Sequence, residues 1–159
     1  MSTDEGVEDD LLLSEQACFA LYSASRAVTD VYRPLLAELG LTYPQYLVLL
    51  VLWESEPRTV RDVGAALALD YGTVSPLLKR LESAGWIARR RDTRDERTVV
   101  VHLTDAGRAL RARVARVPRT IGCALGLDDR ARRELIVLLR TITASTVAFR
   151  DVGDGTSAV

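Results

Sequence analysis

Two sets of residues in this 159-residue chain carry chemistry. The first is a pair of thiols, Cys18 and Cys123. Two cysteines are too few for a disulfide scaffold, and in a reducing compartment such a pair is either inert core filling or redox chemistry. The second set is basic. Residues 58 to 119 hold 14 Arg/Lys against 7 Asp/Glu, a balance of +7, whereas residues 1 to 57 hold 2 against 10 and residues 120 to 159 hold 5 against 5. The whole-chain net charge of −1 therefore hides a basic middle. A duplex is a dense row of phosphates, and a basic surface gains affinity for it by releasing counterions. Other chemistries are missing from the pattern. His102 stands alone on a strand, no Cys/His/Asp/Glu cluster has metal spacing, and there is no Gly-rich phosphate loop and no Ser/His/Asp set. Neither an enzyme site, a metal nor a cofactor is expected.

The basic stretch has a legible architecture. Thr59 caps a first short helix whose apolar or small face is Val60, Val63, Gly64 and Leu67. ALALDYG is a turn with Asp70 and Gly72. A second helix is expected from about Thr73 to Ala84, apolar at Val74, Leu77, Leu78 and Leu81. Pro76 requires that it begin near Gly72 or Thr73, because proline is tolerated in a first turn. Gly85 stops it. Residues 86–91 and 98–103 read as paired strands, and the polar DTRDERT between them as a projecting loop. Helix, turn, helix and hairpin together make a winged helix-turn-helix. Tyr71, Thr73, Ser75, Pro76, Lys79 and Arg80 then lie on or beside the recognition helix, and Pro76 offers an apolar edge to a thymine methyl. Arg94 and Arg97 on the wing suit a narrow A·T minor groove. Arg89 to Arg91 either touch phosphates or are solvated.

The flanking sequence positions this unit. Residues 1–10 are acidic and read as a disordered tail. A long helix is expected from about Leu11 to Tyr32, with a wide apolar stripe through Leu21, Ala24, Val28 and Val31. Pro34 is expected to end it, and Gly40 to stop a short turn after it. Thr42 caps the next helix, with Pro44 in its first turn, and QYLVLLVLW is almost wholly apolar, so this helix is central. After the wing, Thr104 to Gly107 open a helix that Pro118 kinks or interrupts. Asp128-Asp129 caps a last helix to about Phe149, and 150–159 read as a second disordered tail. The fold class is mainly α, a winged helix-turn-helix at 57–103 with long N- and C-terminal dimerisation helices at 11–56 and 104–149 and a small β-hairpin wing. Such helices cannot bury all their apolar surface within one chain, so a homodimer is expected. Two-fold proteins read palindromic half-sites about 34 Å apart. No charge-free apolar run reaches the ~18 residues of a membrane span and the N-terminus is acidic, so neither membrane insertion nor a signal peptide is expected, and the protein is expected in the cytoplasm.

The stretch LKRLESAGWIARRRDTRDERTVVVHLTDAGR, with its D-x-R-x-x-R pattern at Asp92, Arg94 and Arg97 followed by L-T-D-A-G, resembles the MarR family of bacterial regulators. The resemblance spans about residues 11 to 148. Within the family, C-F-A-L-Y-x-A-S-R from Cys18 and T-Y-P-Q-Y from Thr42 are similar to the organic-hydroperoxide-sensing repressors, the OhrR branch. This implies repression from a palindromic DNA operator. It implies Cys18 as the peroxidatic cysteine, Tyr32 and Tyr43 as the tyrosines that hydrogen-bond its sulfur, and Cys123 as a resolving cysteine of the two-cysteine type whose disulfide forms between subunits. Asp95 and Arg97 match wing positions that hold the wing and insert it into the minor groove.

The chemistry implied is consistent with general principles. The thiolate attacks the peroxide, and hydrogen bonds to the sulfur favour the anion. Tyr22, one turn after Cys18, is a further candidate donor. Sulfenic acid forms first, and a second thiol captures it as a disulfide. Cys18 and Cys123 lie 105 positions apart, so only tertiary or quaternary structure brings them together; a disulfide needs Cα atoms within about 7 Å. The competing expectation is a MarR-type repressor controlled by a small apolar or phenolic ligand, with structural cysteines. A thiol peroxidase ranks third, since nothing suggests a recycling site.

Overall fold

The structure, a computed structural model, describes residues 11–92, 95 and 97–155, with side chains as far as residue 151. It divides into one compact unit ending at Ile121 and a second beginning at Gly122, a division that falls inside the segment expected to form dimerisation helices.

In the first unit a 3-10 turn, Leu13–Glu15, precedes helix α1, Ala17–Ala37. The helix starts later than the apolar pattern suggested, and Leu11, Leu12 and Leu13 stay 82%, 49% and 60% exposed. Pro34 does not end α1; it lies inside it. Losing one N–H bond is outweighed there by burial of the following turn: Leu36, Leu39 and Leu41 all enter the core. The stop comes where Gly40 adopts φ 68 and the Leu41 N–H reaches back to the Leu36 carbonyl at 3.0 Å.

Helix α2, Tyr43–Glu54, is central, as its apolar sequence requires. Tyr46, Val48, Leu49, Val51 and Leu52 are buried, and at its start the Thr42 N–H donates to the Gln45 side chain at 2.8 Å. Strand β1, Arg58–Thr59, then pairs with a strand that follows 40 residues later; two residues are too few to show a period in the sequence. Helix α3, Val60–Leu67, begins with a reciprocal cap: the Asp62 N–H donates to Thr59 Oγ1 at 3.0 Å and the Thr59 N–H to Asp62 Oδ2 at 3.2 Å. The inter-helix turn places its left-handed residue at Ala68, φ 53, ahead of the expected Asp70 and Gly72.

Helix α4, Tyr71–Ser83, starts one to two residues earlier than expected, and Pro76 is its sixth residue, beyond the first turn. Asp70 explains the start. Its carboxylate accepts the Thr73 N–H at 2.9 Å and the Thr73 hydroxyl at 3.1 Å. Pro76 forfeits only the bond to the Gly72 carbonyl, in an exposed turn that water can reach.

Strands β2, Ile87–Arg91, and β3, Val99–Leu103, form the hairpin. With β1 the sheet has three antiparallel strands in the order β1-β3-β2, registered Ile87 to Leu103 and Arg91 to Val99. Helix α5, Asp105–Val114, is capped by Thr104, and helix α6, Arg116–Leu125, follows a break at Ala115, so Pro118 sits in a first turn, as expected of an interrupting proline. The core of this unit joins α2, the Val63, Val74, Leu78 and Leu81 faces, the inner sheet face at Ile87, Val101 and Leu103, and Leu110, Val114, Val117 and Ile121.

In the second unit, helix α7 runs Asp129–Gly155, with Asp128 accepting the Ala131 N–H at 2.8 Å. It continues past Phe149 into the expected tail. Its large apolar residues, Leu135 to Leu139, Ile142, Val147 and Phe149, are all exposed. Among the described residues, no helix is long and apolar enough to cross a membrane.

Candidate functional site

Helix α4 turns Val74, Leu78 and Leu81 into the core, which leaves Tyr71, Thr73, Pro76, Lys79 and Arg80 exposed and Ser75 half-buried on the other side. The structure therefore brings the expected recognition residues onto one surface. Tyr71 is 73% exposed, an unusual position for a large aromatic ring unless a partner covers it. Thr73 differs from its neighbours: its hydroxyl proton is committed to the Asp70 cap, so it offers a partner only its lone pairs.

The wing stands beside this surface. Asp92 N–H donates to the Thr98 carbonyl at 2.8 Å, closing the hairpin. Asp95 holds the turn, accepting the Arg97 N–H at 3.0 Å and the Thr98 hydroxyl at 2.9 Å, while its carbonyl accepts the Thr98 N–H at 2.9 Å. Arg94 lies outside the described residues; Arg97 is exposed. Between wing and helices lies a cleft of about 440 Å³ whose lining includes Arg61, Tyr71, Ser75, Arg89, Arg97 and Val99. Arg61, at the start of α3, was not among the expected contacts. The signal that points to it is β1, whose pairing with β3 carries the start of α3 beside the wing.

The three consecutive arginines of β2 are not equivalent. Arg89 is held by Glu82 at 2.7 Å, with both side chains about one-third exposed, whereas Arg91 is exposed. Next to the sheet, Glu56 accepts the Leu103 N–H at 2.6 Å and pairs with Arg108 at 2.9 Å, and Arg108 also donates to the Leu103 carbonyl at 2.9 Å. This joint ties the end of α2 to the strand and helix that carry the wing.

The thiols occupy different units and each is described by itself. Cys18 is the second residue of α1, at the end where the peptide dipoles point positive, and it is exposed. Cys123, in α6, is exposed too. Neither is core filling within the chain. Tyr22, one turn after Cys18, is engaged by Arg26, whose Nη1 donates to the phenol oxygen at 3.0 Å with the guanidinium 5.6 Å from the ring centre. The phenol proton is left for another acceptor.

Tyr32 and Tyr43 are brought together, ring centres 4.5 Å apart, with Tyr46 5.9 Å from Tyr32 and Trp53 6.5 Å beyond Tyr46. Burial, then the neighbouring Tyr43 and Tyr46, push the Tyr32 phenol up to about 12, and burial raises Tyr43 and Tyr46 as well. These phenols keep their protons and remain donors. They are not placed at Cys18 of the same chain. Fourteen helical steps separate Cys18 from Tyr32, about 21 Å along α1, far beyond the reach of a tyrosine side chain. Among the described residues, no three His, Cys, Asp or Glu side chains form a metal-binding group.

Comparison with known proteins gives a consistent picture. Residues 30–114 match the profile of the family described as transcriptional regulator SarA/Rot. The chain is 46% identical over 127 residues to the organic hydroperoxide resistance transcriptional regulator of Bacillus subtilis (strain 168), covering 80% of this chain and 84% of that one. It is 50% identical over 131 residues to the HTH-type transcriptional regulator TtmR of Methylorubrum extorquens (strain PA1), covering 82% and 67%. Among solved structures, reduced AbfR of Staphylococcus epidermidis bound to DNA matches with a TM-score of 0.73 at 35% identity, covering 87% of this chain and 98% of that chain. The disulfide form of AbfR matches with a TM-score of 0.62 at 33% identity, covering 89% and 99%.

Proposed function

The chain belongs to the MarR family of winged-helix transcriptional regulators, in its SarA/Rot-type and organic-hydroperoxide-regulator branch, and from this premise we propose that it is a peroxide-released repressor. As a reduced homodimer it binds a palindromic operator through α4 and the wing. An organic hydroperoxide then oxidises Cys18. The thiolate attacks one peroxide oxygen, the O–O bond breaks, and the products are Cys18 sulfenic acid and, after protonation, an alcohol. Condensation with the Cys123 thiol of the second copy forms the disulfide and releases water. The observation that carries this reading is the exposed Cys18 at the start of α1, in a chain that shares 46% identity with a hydroperoxide-resistance regulator.

Geometry adds a requirement. Because α1 holds Cys18 and Tyr32 about 21 Å apart, the Tyr32 and Tyr43 phenols reach the sulfur only from a second copy. The apolar stripe of α1 and the exposed face of α7 supply surface for such a pairing. On the DNA side, Tyr71, Ser75, Pro76, Lys79 and Arg80 meet the major groove, Arg94 and Arg97 the minor groove, and Asp95 holds the wing.

The test is titration of the reduced protein with an organic hydroperoxide while binding to a duplex is followed, with products resolved on a non-reducing gel. Cys18→Ser keeps DNA binding and loses the peroxide response. Release of the variant at wild-type peroxide concentrations would sink the proposal. Cys123→Ser responds but gives no reducible dimer band.

A second reading has one observation in its favour. A cleft of about 230 Å³ between α2 and the α5–α6 segment is lined by Tyr46, Leu50, Trp53, Arg111, Val114 and Pro118 among others. It fits a small apolar or phenolic effector, and in that case Cys18→Ser still responds, to the effector instead of the peroxide.

A further inference from the structure

The recognition helix and the wing are joined by only three residues, Ala84, Gly85 and Trp86, with Gly85 at φ 79. Across that bend runs a second connection. Glu82 Oε1 accepts the Arg89 backbone N–H at 2.9 Å, and Glu82 Oε2 accepts Arg89 Nε at 2.8 Å and Nη2 at 2.7 Å. β2 is an edge strand of the sheet, and Glu82 takes up one of the N–H groups that an edge leaves for a partner. The carboxylate thus grips both the backbone and the side chain of one residue: two guanidinium nitrogens converge on Oε2 in charge-assisted contacts, and the bond to Oε1 fixes the strand itself. The Arg89 side chain and N–H hold the Glu82 carboxyl below the usual carboxylate range. With Glu82 on its guanidinium, the Arg89 charge is already matched, which separates it from Arg90 and Arg91 as a phosphate ligand.

Position on the lever matters. Arg89 stands in the middle of β2, and the wing continues beyond it through Arg91 to the turn held by Asp95. A small rotation at Arg89 becomes a larger displacement at the tip. A protein that inserts a helix in one groove and a wing in the next must keep the two at a fixed separation, because the grooves of a duplex have a fixed spacing. We propose that Glu82 is a positioning residue that sets the angle between α4 and the wing, so that the two adjacent grooves are read in register. The proposal rests on the reading of α4 and the wing as DNA contacts.

The test uses the full-length reduced chain and a duplex selected by the wild-type protein from a random-sequence pool. Two altered duplexes accompany it: one with A·T pairs changed to G·C in the flanks that the wing meets, one with base pairs exchanged in the core that α4 meets. Glu82→Gln is expected to bind the selected duplex about tenfold more weakly and to lose discrimination between A·T and G·C flanks, while its discrimination in the core stays within about twofold of wild type. Arg89→Lys, which keeps a cation but loses the fork, gives the same pattern, and the double variant is no weaker than either single one. Each variant is judged by circular dichroism and melting in the absence of DNA; if Glu82→Gln unfolds, Arg89→Lys carries the comparison. Wild-type binding by a folded variant, or equal loss of flank and core discrimination, overturns the proposal. A wild-type protein that selects no duplex fails the DNA-binding reading itself, a result distinguishable from either.

Discussion

The Trp53 indole N–H donates to the Gly107 carbonyl at 3.0 Å, tying the last turn of α2 to the first turn of α5. Trp53→Phe removes the donor and three of the nine ring atoms. The expected loss is about 1–2 kcal/mol, one hydrogen bond and some packing. It is read as a fall in melting temperature of about 2–4 °C per kcal/mol. An unchanged melting temperature would show that water replaces the indole at no cost.

Gly107 is also the tightest glycine of this joint. A Cβ there would lie 2.0 Å from the Trp86 carbonyl oxygen, and that oxygen is held in place by the Thr104 N–H and hydroxyl, both at 3.1 Å. Gly107→Ala is expected to cost at least about 3 kcal/mol, since backbone must move. Gly122, in α6, has nothing within 4 Å of its Cβ position. Gly122→Ala therefore stabilises by about 0.5–1 kcal/mol through helix propensity. Denaturant unfolding of both variants checks the contrast; similar midpoints would refute it.

The buried phenols make stability pH-dependent on the alkaline side. The folded value for Tyr32 is raised from 10.0 to about 12, so the folded state holds its proton more tightly than the unfolded state. That contribution is fully present below pH 10 and is lost as pH rises from there to about 12. Phenolate absorbance should show Tyr32 ionising late in the folded protein, and Tyr32→Phe should flatten the alkaline fall in unfolding free energy. A Tyr32 that ionises near 10 in the folded chain would contradict the burial that causes the shift.

The winged unit was legible because its signals are local. Thr59, Asp70 and Thr104 cap within three residues, and Val74, Leu78 and Leu81 repeat at helical spacing. What lay beyond reading was set by partners far away in sequence. Pro34 stays helical because Leu36, Leu39 and Leu41 are drawn into the core, and β1 exists because β3 pairs with it. The joint at Glu56 joins residues 47 and 52 positions apart. The thiols and tyrosines were legible only as a family resemblance. Their spatial relation was not, since a shared turn near Tyr32 and Tyr43 says nothing about a sulfur four helical turns away. The helical spacing of α4 is enough to expose Tyr71, Pro76, Lys79 and Arg80, but the Thr73 hydroxyl is bound to the Asp70 cap, and Arg61 entered the cleft through β1.

The turn at Asp95 bears on the thermodynamics of docking. Arg97 and Thr98 are already bound to Asp95 before a duplex arrives. Fixing a free residue costs about 1–2 kcal/mol of conformational entropy. On the proposed reading of the wing as a groove contact, the bonds that Asp95 already makes to Arg97 and Thr98 reduce what is given up on entry, so more of the arginine–phosphate and arginine–groove attraction is available as net affinity. Asp95→Ala would then weaken binding without removing any atom that meets the duplex.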